Sequence, residues 1–314
     1  NEGISELKKS NFKDAEQIFK NGINDYPDHK QIYTYLIPCL INQNKLDDAL
    51  SYSEKLYNLD NNVEVGLTYI GIILYQKLLY EESLKYFKHS LKINENNYHT
   101  LLNTGVVLHK LNRNDEAIKY IKKSININDQ NFMSYHNLAS VYEDKAKFED
   151  ALINFKKAIS INPKDFESIH GMSLLQLSKL DYKNGWKNYE SRFLLSSKNT
   201  QPRHQKIPRL GSIEDIENKK ILVWHEQGFG DTLQFSRYVN RLITLNSNVT
   251  FEVQPELKLF LSRQFNCIIT DDASRGIYDF QIPLMSLPCL FYRSNKNILK
   301  LNSFFKSNNK KIDE

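Results

Sequence analysis

Two glycines and an aspartate stand together after an apolar run, in Gly228-Phe229-Gly230-Asp231. Glycines allow a loop to approach a ligand closely, and a helix start favours an anion or a developing negative charge. Asp231 therefore has two interpretations, as the N-cap of the following helix or as a general base for a nucleophilic acceptor. The motif alone does not decide between them, since it is neither a dinucleotide-binding fingerprint nor a P-loop.

Other patterns that carry chemistry are absent from the sequence. It contains no Asp-x-Asp, Gly-x-Ser-x-Gly, His-Glu-x-x-His or Gly-x-x-x-x-Gly-Lys. Asp271 and Asp272 fall in a predicted loop, where turn chemistry is the commoner role. His99, His109, His136 and His170 lie on predicted repeat helices without ligand spacing. We therefore predict no metal site.

The loop at Asp231 requires a sheet to position it. Four short apolar runs predict β-strands, at residues 221–225, 249–253, 267–270 and 278–284. Helical patterns follow Gly230 and begin again at Pro255, which suits a first helical turn. Alternating strands and helices indicate a parallel sheet with right-handed crossovers. Ligands of such sheets bind beyond the carboxyl ends of the strands, where this loop falls.

The first two-thirds of the chain is periodic. A small residue recurs every 34 positions, six times, at Ala15, Ala49, Ser83, Ala117, Ala151 and Gly185. Seven residues later most copies carry a second small residue, at Gly22, Ser90, Ser124 and Ala158. Leu56 and Arg192 depart from that second position. Each copy has the apolar spacing of two amphipathic helices, which bury their apolar faces only by stacking on neighbouring copies.

This period resembles the tetratricopeptide repeat, a pair of helices of 34 residues. Gly3, Gly71, Gly105 and Ala139 match the small residue at the eighth position of its pattern. The resemblance implies an α-solenoid of about six units with a concave, polypeptide-binding groove.

Two asparagines occupy equivalent positions on first helices of this array. Asn103 and Asn137 are 34 residues apart, and paired amides there could hydrogen-bond an extended peptide backbone whatever its sequence. They resemble two rungs of the asparagine ladder of the O-linked N-acetylglucosamine transferases. The other copies carry Tyr35, Tyr69 and Gly171, and a solvated polar role is the alternative.

Four segments after the repeats resemble bacterial tetratricopeptide proteins fused to a glycosyltransferase-like domain, at residues 185–192, 225–238, 251–254 and 283–288. That domain is similar to the ADP-heptose:lipopolysaccharide heptosyltransferases, and more distantly to the O-linked N-acetylglucosamine transferases. The resemblance implies a Rossmann-like half-domain, the acceptor-binding first half of a GT-B glycosyltransferase. Asp231 matches the family's proposed catalytic carboxylate.

The resemblance gives a leading hypothesis and a rival. In the first, the repeat arm recruits a polypeptide, and the α/β half binds a glycan or protein acceptor for transfer from a nucleotide sugar. Asp231 would be the base, Gly228 and Gly230 would orient the acceptor, and Gln227, His225, Gln254 and Ser286 would line the cleft. The nucleotide-binding second half is expected to be absent, which leaves this chain alone inactive. In the second hypothesis the chain is a non-catalytic interaction scaffold with a vestigial half-domain.

Composition sets wider limits. The chain has 314 residues, and 42 basic against 37 acidic side chains give a net charge of only +5, no basis for predicting nucleic-acid binding. Three scattered cysteines indicate no disulfide framework, and no apolar run is long enough for a transmembrane helix. We predict a cytoplasmic protein without metal or bound cofactor. The predicted domains are a superhelix at 1–193, a linker at 194–219 and the α/β half at 220–314.

Overall fold

The computed structural model describes residues 2–9, 11–59, 63–195, 202–245 and 248–293. These residues form two compact units, Asn1–Asp165 and Phe166–Glu314. The first contains α1 to α10, in chain order Glu2–Lys8, Phe12–Asp25, Lys30–Asn42, Leu46–Asn58, Val63–Gln76, Tyr80–Ile93, Tyr98–Lys110, Asn114–Ile127, Phe132–Asp144 and Phe148–Ile161. The predicted helical solenoid is confirmed.

The ends of the helices follow from local chemistry. The side chain of Asn97 accepts hydrogen bonds from the backbone N–H groups of His99 and Thr100, at 3.0 and 3.2 Å, and so caps α7. Four of the second helices, α4, α6, α8 and α10, begin with acidic pairs, such as Glu81 and Glu82 in α6, which the helix dipole favours. Each of these helices thus starts where its own sequence supplies acceptors or negative charge.

The turns inside the helix pairs share one backbone geometry that the sequence did not predict. A residue in the left-handed region follows five of the first helices, with φ between 55 and 64°, at Asn44, Leu78, Asn112, Ala146 and Leu180. The next residue donates its N–H to a carbonyl five positions earlier, as Leu79 does to Leu74 at 2.9 Å. This is the Schellman ending of a helix.

The small eighth positions explain how closely paired helices pack. A Cβ atom added to Gly105 would lie 2.4 Å from Cγ1 of Ile121, and one added to Gly71 would lie 2.6 Å from Cε1 of Phe87. Carbon atoms of neighbouring side chains do not come this close. The glycines therefore permit the short distance between α7 and α8 and between α5 and α6. First helices of neighbouring pairs also contact each other, α5 with α7 and α7 with α9.

The second unit contains a sixth helix pair and a sheet. Its elements are α11 Phe166–Ser178, α12 Tyr182–Tyr189, β1 Lys220–Trp224, α13 Phe229–Ile243, β2 Asn248–Glu252, α14 Pro255–Ser262, β3 Ile268–Thr270, β4 Phe280–Pro283 and α15 Leu287–Arg293. The four strands are all parallel in the order β3-β2-β1-β4. The prediction of a small parallel sheet is confirmed.

One face of the sheet packs against helices. Val223, Phe251 and Ile282 from three strands share a core with Phe235 and Val239 of α13. The aromatic residues of α12, Trp186 and Tyr189, belong to the same core. The sixth helix pair therefore packs with the sheet, which is why the compact units divide after Asp165.

The segment predicted as a linker is well packed where it is described. Leu210, Ile213 and Ile216 are each at most 4% exposed, and the backbone of Leu210 donates to Gln281 of β4 at 2.9 Å. The apolar residues of this segment outweigh its basic ones and hold it against the sheet. Residues 196–201 of the predicted linker, and residues 294–314 of the predicted α/β half, lie outside the described residues.

Candidate functional site

The first helices carry the two asparagines predicted to bind a peptide. Asn103 on α7 and Asn137 on α9 are both half-buried. The amide of Asn103 has no hydrogen-bond partner among the residues that the structure describes. The amide nitrogen of Asn137 donates to the carbonyl of Met133 in its own helix at 2.8 Å, and its oxygen is left over. Both side chains therefore retain hydrogen-bonding groups for a ligand.

The equivalent positions nearer the amino terminus are used differently. The hydroxyl of Tyr69 on α5 donates to the carbonyl of Thr34 on α3 at 3.1 Å. The ring of Tyr35 stacks on Phe19 with centroids 5.5 Å apart. These tyrosines join neighbouring helices, so among the described residues of the first unit this row of amides consists of Asn103 on α7 and Asn137 on α9.

The loop after β1 is the second candidate site. Gly228 is the N-cap of α13, with φ −68° and ψ 175°. The N-cap interpretation of Asp231 is therefore wrong, because the helix begins at Phe229 and Asp231 is its third residue. Neither glycine has a positive φ, so both have ordinary backbone conformations and the helix starts earlier than the sequence predicts.

The space around the loop is open. A Cβ atom added to Gly228 or Gly230 would meet nothing within 4 Å. The carboxylate of Asp231 is half-buried and accepts no hydrogen bond from any residue within the described ranges. Burial is the main cause of the raised pKa of Tyr189, and Asp231 is close enough to contribute to it. An unpaired carboxylate at a helix start beside open space is chemically available.

Two of the predicted lining residues leave buried polar atoms without partners. Gln254 is 8% exposed, and its amide nitrogen donates to the carbonyl of Gln227 at 2.7 Å, while its oxygen has no partner among the described residues. Nδ1 of His225 is also buried and unpartnered within this described part of the chain. Burial, with a smaller effect from Arg203, lowers the pKa of His225 and favours a neutral imidazole.

A buried ion pair that was not predicted from the sequence fixes Glu226, two residues before Gly228 of the loop. Arg192 donates to both carboxylate oxygens of Glu226, at 2.8 and 2.9 Å, and the two side chains are 2% and 0% exposed. Glu226 also accepts from the backbone N–H of Met285 at 2.9 Å. Arg192 is one of the two residues that depart from the second small position of the repeat, and its charge at a position that is otherwise small or apolar was the available signal.

Ser286 belongs to this support. It is 2% exposed, and its hydroxyl oxygen accepts from Arg192 at 2.8 Å and from Arg209 at 2.9 Å. Gln227, by contrast, is exposed, and its amide reaches the hydroxyl of Tyr189 at 3.4 Å. The structure thus brings His225, Gln227 and Gln254 around the loop, and places Ser286 in the ion-pair network.

A separate cavity of about 740 Å³ lies at the sheet edge, lined in part by Lys220, Asn248 and Ile268. Lys220 and Asn248 begin β1 and β2, so this cavity is near the amino ends of those strands, opposite to where parallel sheets bind ligands. It does not include the loop. Among the described residues no group of three or more His, Cys, Asp or Glu could hold a metal ion, and no helix there is long and apolar enough to cross a membrane.

Comparison with known proteins supports the interpretation of the repeats. The tetratricopeptide repeat family model matches residues 98–131 and 134–165, which span α7 to α10. No curated protein sequence matches the chain.

Solved structures with a similar fold include three whose alignments cover more than half of this chain. The Cut9–Hcn1 hetero-tetramer of the APC/C aligns with a TM-score of 0.58 at 15% identity, over 62% of this chain and 39% of that one. PilF of Pseudomonas aeruginosa aligns with a TM-score of 0.52 at 15% identity, over 62% and 89%. A thermophilic tetratricopeptide protein of Thermus thermophilus aligns with a TM-score of 0.50 at 19% identity, over 56% and 95%. At these identities the likeness concerns the fold, and the chain carries tetratricopeptide repeats in a helical solenoid.

Proposed function

We propose that the chain is an interaction scaffold that binds an extended polypeptide along the first helices of its repeats. The observation that carries the proposal is the pair of equivalent amides, Asn103 and Asn137. They lie on the helices that match the repeat model, and both keep hydrogen-bonding groups unused. A side-chain amide offers both a donor and an acceptor, as a peptide group does.

The surroundings of these amides suit a peptide with an apolar side chain beside a polar backbone. Met133 lies one turn before Asn137 and is 47% exposed, although it is large and apolar. Nε2 of His109 and the carboxylate of Asp144 lie 2.6 Å apart and join the far ends of α7 and α9. This contact joins α7 to α9 near their carboxyl ends, away from the two amides, and so fixes the spacing of the two helices without the peptide.

The test begins by selecting 12-residue peptides from a random display library on the full chain. The selected peptide's Kd is then measured by fluorescence anisotropy for the wild type and for Asn103→Ala/Asn137→Ala. We expect affinity to fall about 5- to 100-fold, since each lost hydrogen bond is worth about 0.5–1.5 kcal/mol. The melting temperature should hardly change, because both amides are partly solvated in the free protein.

A matched control is available on a second helix. Asn154 of α10 is half-buried and donates to the carbonyl of Asp150 at 2.8 Å, the same internal bond that Asn137 makes. Asn154→Ala should leave the Kd unchanged. Equal affinity of the wild type and the double variant would refute the amide contact.

We propose a second function for the other unit, acceptor binding in glycosyl transfer from a nucleotide sugar. The supporting observation is the unpaired Asp231 beside the open Gly228–Gly230 loop, at the carboxyl end of β1. Asp231 would take the proton of the acceptor hydroxyl as that oxygen attacks the anomeric carbon of the sugar, and the bond from this carbon to the nucleoside diphosphate would break as the diphosphate leaves. Gln227, His225 and Gln254 would orient the acceptor. These residues would act on the acceptor and its proton, and no metal is required of them.

The test is Asp231→Asn in a protein that carries this unit together with its donor-binding half. Transfer should fall about 10²- to 10⁴-fold, because asparagine cannot accept the proton. The unfolding free energy should fall by only about 0.3–1 kcal/mol, the value of a carboxylate in a first helical turn. Near-normal transfer would make Asp231 a structural residue.

A further inference from the structure

The second helices of three consecutive repeats carry a row of lysines. Lys88, Lys122 and Lys156 occupy one equivalent position on α6, α8 and α10, and Lys123 and Lys157 follow two of them. Lys85 and Lys119 lie three residues earlier, which places them on the same helix face. We call these seven residues the lysine row. It ends before α4, where the equivalent residue is Glu54.

The lysine row is exposed and lacks close acidic partners. Six of the seven side chains are exposed, and Lys88 is half-buried. Residues 83–93, 117–127 and 151–161 contain no aspartate or glutamate. None of the seven forms a salt bridge with any carboxylate that the structure describes. Two other lysines of the same unit are paired instead, Lys45 with Glu16 and Lys145 with Asp115.

Acidic residues are kept to the other end of the same helices. Glu81, Asp115, Glu116, Glu149 and Asp150 all lie in first turns. The pKa of Glu116 is lowered mainly by Arg113, and Lys88 and Lys119 contribute at longer range. The result is a basic stripe that runs from one helix to the next, bordered by an acidic one.

The narrow width of the basic stripe and its acidic border favour one class of partner over others. A flat anionic membrane would meet the acidic border as well as the lysines, and the border would oppose it. Single-stranded nucleic acid needs a succession of exposed aromatic rings on which bases stack. Of the three equivalent positions only Tyr86 on α6 is an exposed ring, since Tyr120 on α8 is half-buried and α10 carries Asn154. An extended acidic peptide can follow the stripe alone. We propose that the lysine row binds an acidic polypeptide segment, on helices other than those of the amide site.

The experiment uses the full chain and a fluorescein-labelled peptide of twelve glutamates, about 40 Å long when extended. Anisotropy at 50 mM NaCl should show saturable binding that weakens strongly at 300 mM. Lys122→Glu/Lys123→Glu/Lys156→Glu/Lys157→Glu should weaken binding about 10- to 100-fold. The four Lys→Gln changes should weaken it less and serve as the test if the reversed variant does not fold by circular dichroism.

The control reverses four exposed lysines outside the row, at Lys13, Lys183, Lys187 and Lys219. It changes the net charge equally, and the Kd should stay within about threefold. An equal loss in this control, or no binding by the wild type, overturns the proposal. Tighter binding of a twelve-nucleotide oligo-dT, or of phosphatidylserine vesicles, would overturn it too and assign the row to that class instead. Asn103→Ala/Asn137→Ala should leave this binding intact, which separates the two sites.

Discussion

The two units of the chain are stabilised by different kinds of contact. In residues 1–165 the same contacts recur every 34 residues between neighbouring helices, as Gly71 against Phe87 and Gly105 against Ile121. In the second unit one buried ion pair joins segments far apart in sequence, since Arg192 contacts Glu226 and Ser286. A periodic unit spreads its stability over many equivalent contacts, whereas the sheet unit depends on a few that have no second copy.

The largest test of this comparison is Arg192→Met. It leaves the carboxylate of Glu226 buried with only the Met285 N–H as a partner, and should cost about 3–5 kcal/mol of unfolding free energy. Both tryptophans, Trp186 and Trp224, are buried in the second unit. The urea midpoint measured by tryptophan fluorescence should therefore fall strongly. The midpoint measured by circular dichroism, which reports mainly on the helices of the repeats, should change little.

The double variant Arg192→Met/Glu226→Met is its control. Removing both charges should cost less than removing either, because no uncompensated charge stays buried. A double variant that is as unstable as the sum of the single ones would mean that the pair contributes through packing rather than charge.

The second test contrasts glycines of the two units. Gly105→Ala should destabilise the repeats by about 1–3 kcal/mol, because the new methyl would overlap Ile121 and come within 3.2 Å of the carbonyl of Ala117. Gly230→Ala in α13 meets no atom and should be neutral, or stabilising by about 0.5–1 kcal/mol. Urea unfolding by circular dichroism and fluorescence measures both. Equal losses at the two sites would contradict the distinction between packing glycines and open-loop glycines.

The same contrast explains what sequence reasoning could predict. The 34-residue period predicted the helix pairs because each copy repeats the same apolar and small positions. The strands were predicted because buried parallel strands are short apolar runs. The ion pair of Arg192 and Glu226 was not predicted, since its partners are set by the fold and not by spacing. The start of α13 was predicted too late, because Gly228 and Gly230 were taken for a loop. In the structure Gly228 is extended and Gly230 is already helical.

The unpartnered atoms of the candidate site could not be predicted from the sequence either, because hydrogen-bond partners are set by the fold. The roles predicted for Gln254 and His225 came from resemblance, and only the structure describes the unpaired oxygen of one and nitrogen of the other. Ser286 was predicted as a cleft residue, yet two guanidinium groups use its hydroxyl. Sequence gives the residue types near a site, but not which hydrogen bonds the protein has already formed.

A third test concerns pH. Burial alone would raise the pKa of Glu16, but hydrogen bonds from Lys20, Lys45 and Gln43 outweigh it and lower the pKa to about 2. A carboxyl with a lowered folded-state pKa stabilises the fold above its unfolded pKa of about 4.5, and this stability is lost as the pH falls toward 2. Because both lysines are partly exposed, we expect a loss of about 1–2 kcal/mol. Urea unfolding by circular dichroism from pH 6 to 2.5 measures it, and Glu16→Gln should remove that part of the pH dependence.

The smallest effect is expected at a turn of the repeats. Leu78 follows α5 with φ 63° and is 69% exposed, so it bears the strain of the left-handed conformation and gains little from burial. Leu78→Gly should stabilise the first unit by about 0.5–1 kcal/mol, because glycine adopts that conformation freely. Leu78→Ala keeps the strain and should change little, which separates backbone relief from loss of the side chain. The urea concentration at the midpoint of unfolding should rise for the glycine variant when unfolding is followed by circular dichroism. The midpoint followed by tryptophan fluorescence, which reports on the second unit, should stay unchanged. A rise of both transitions together would show that the two units unfold as one, and would remove the basis for treating their stabilities separately.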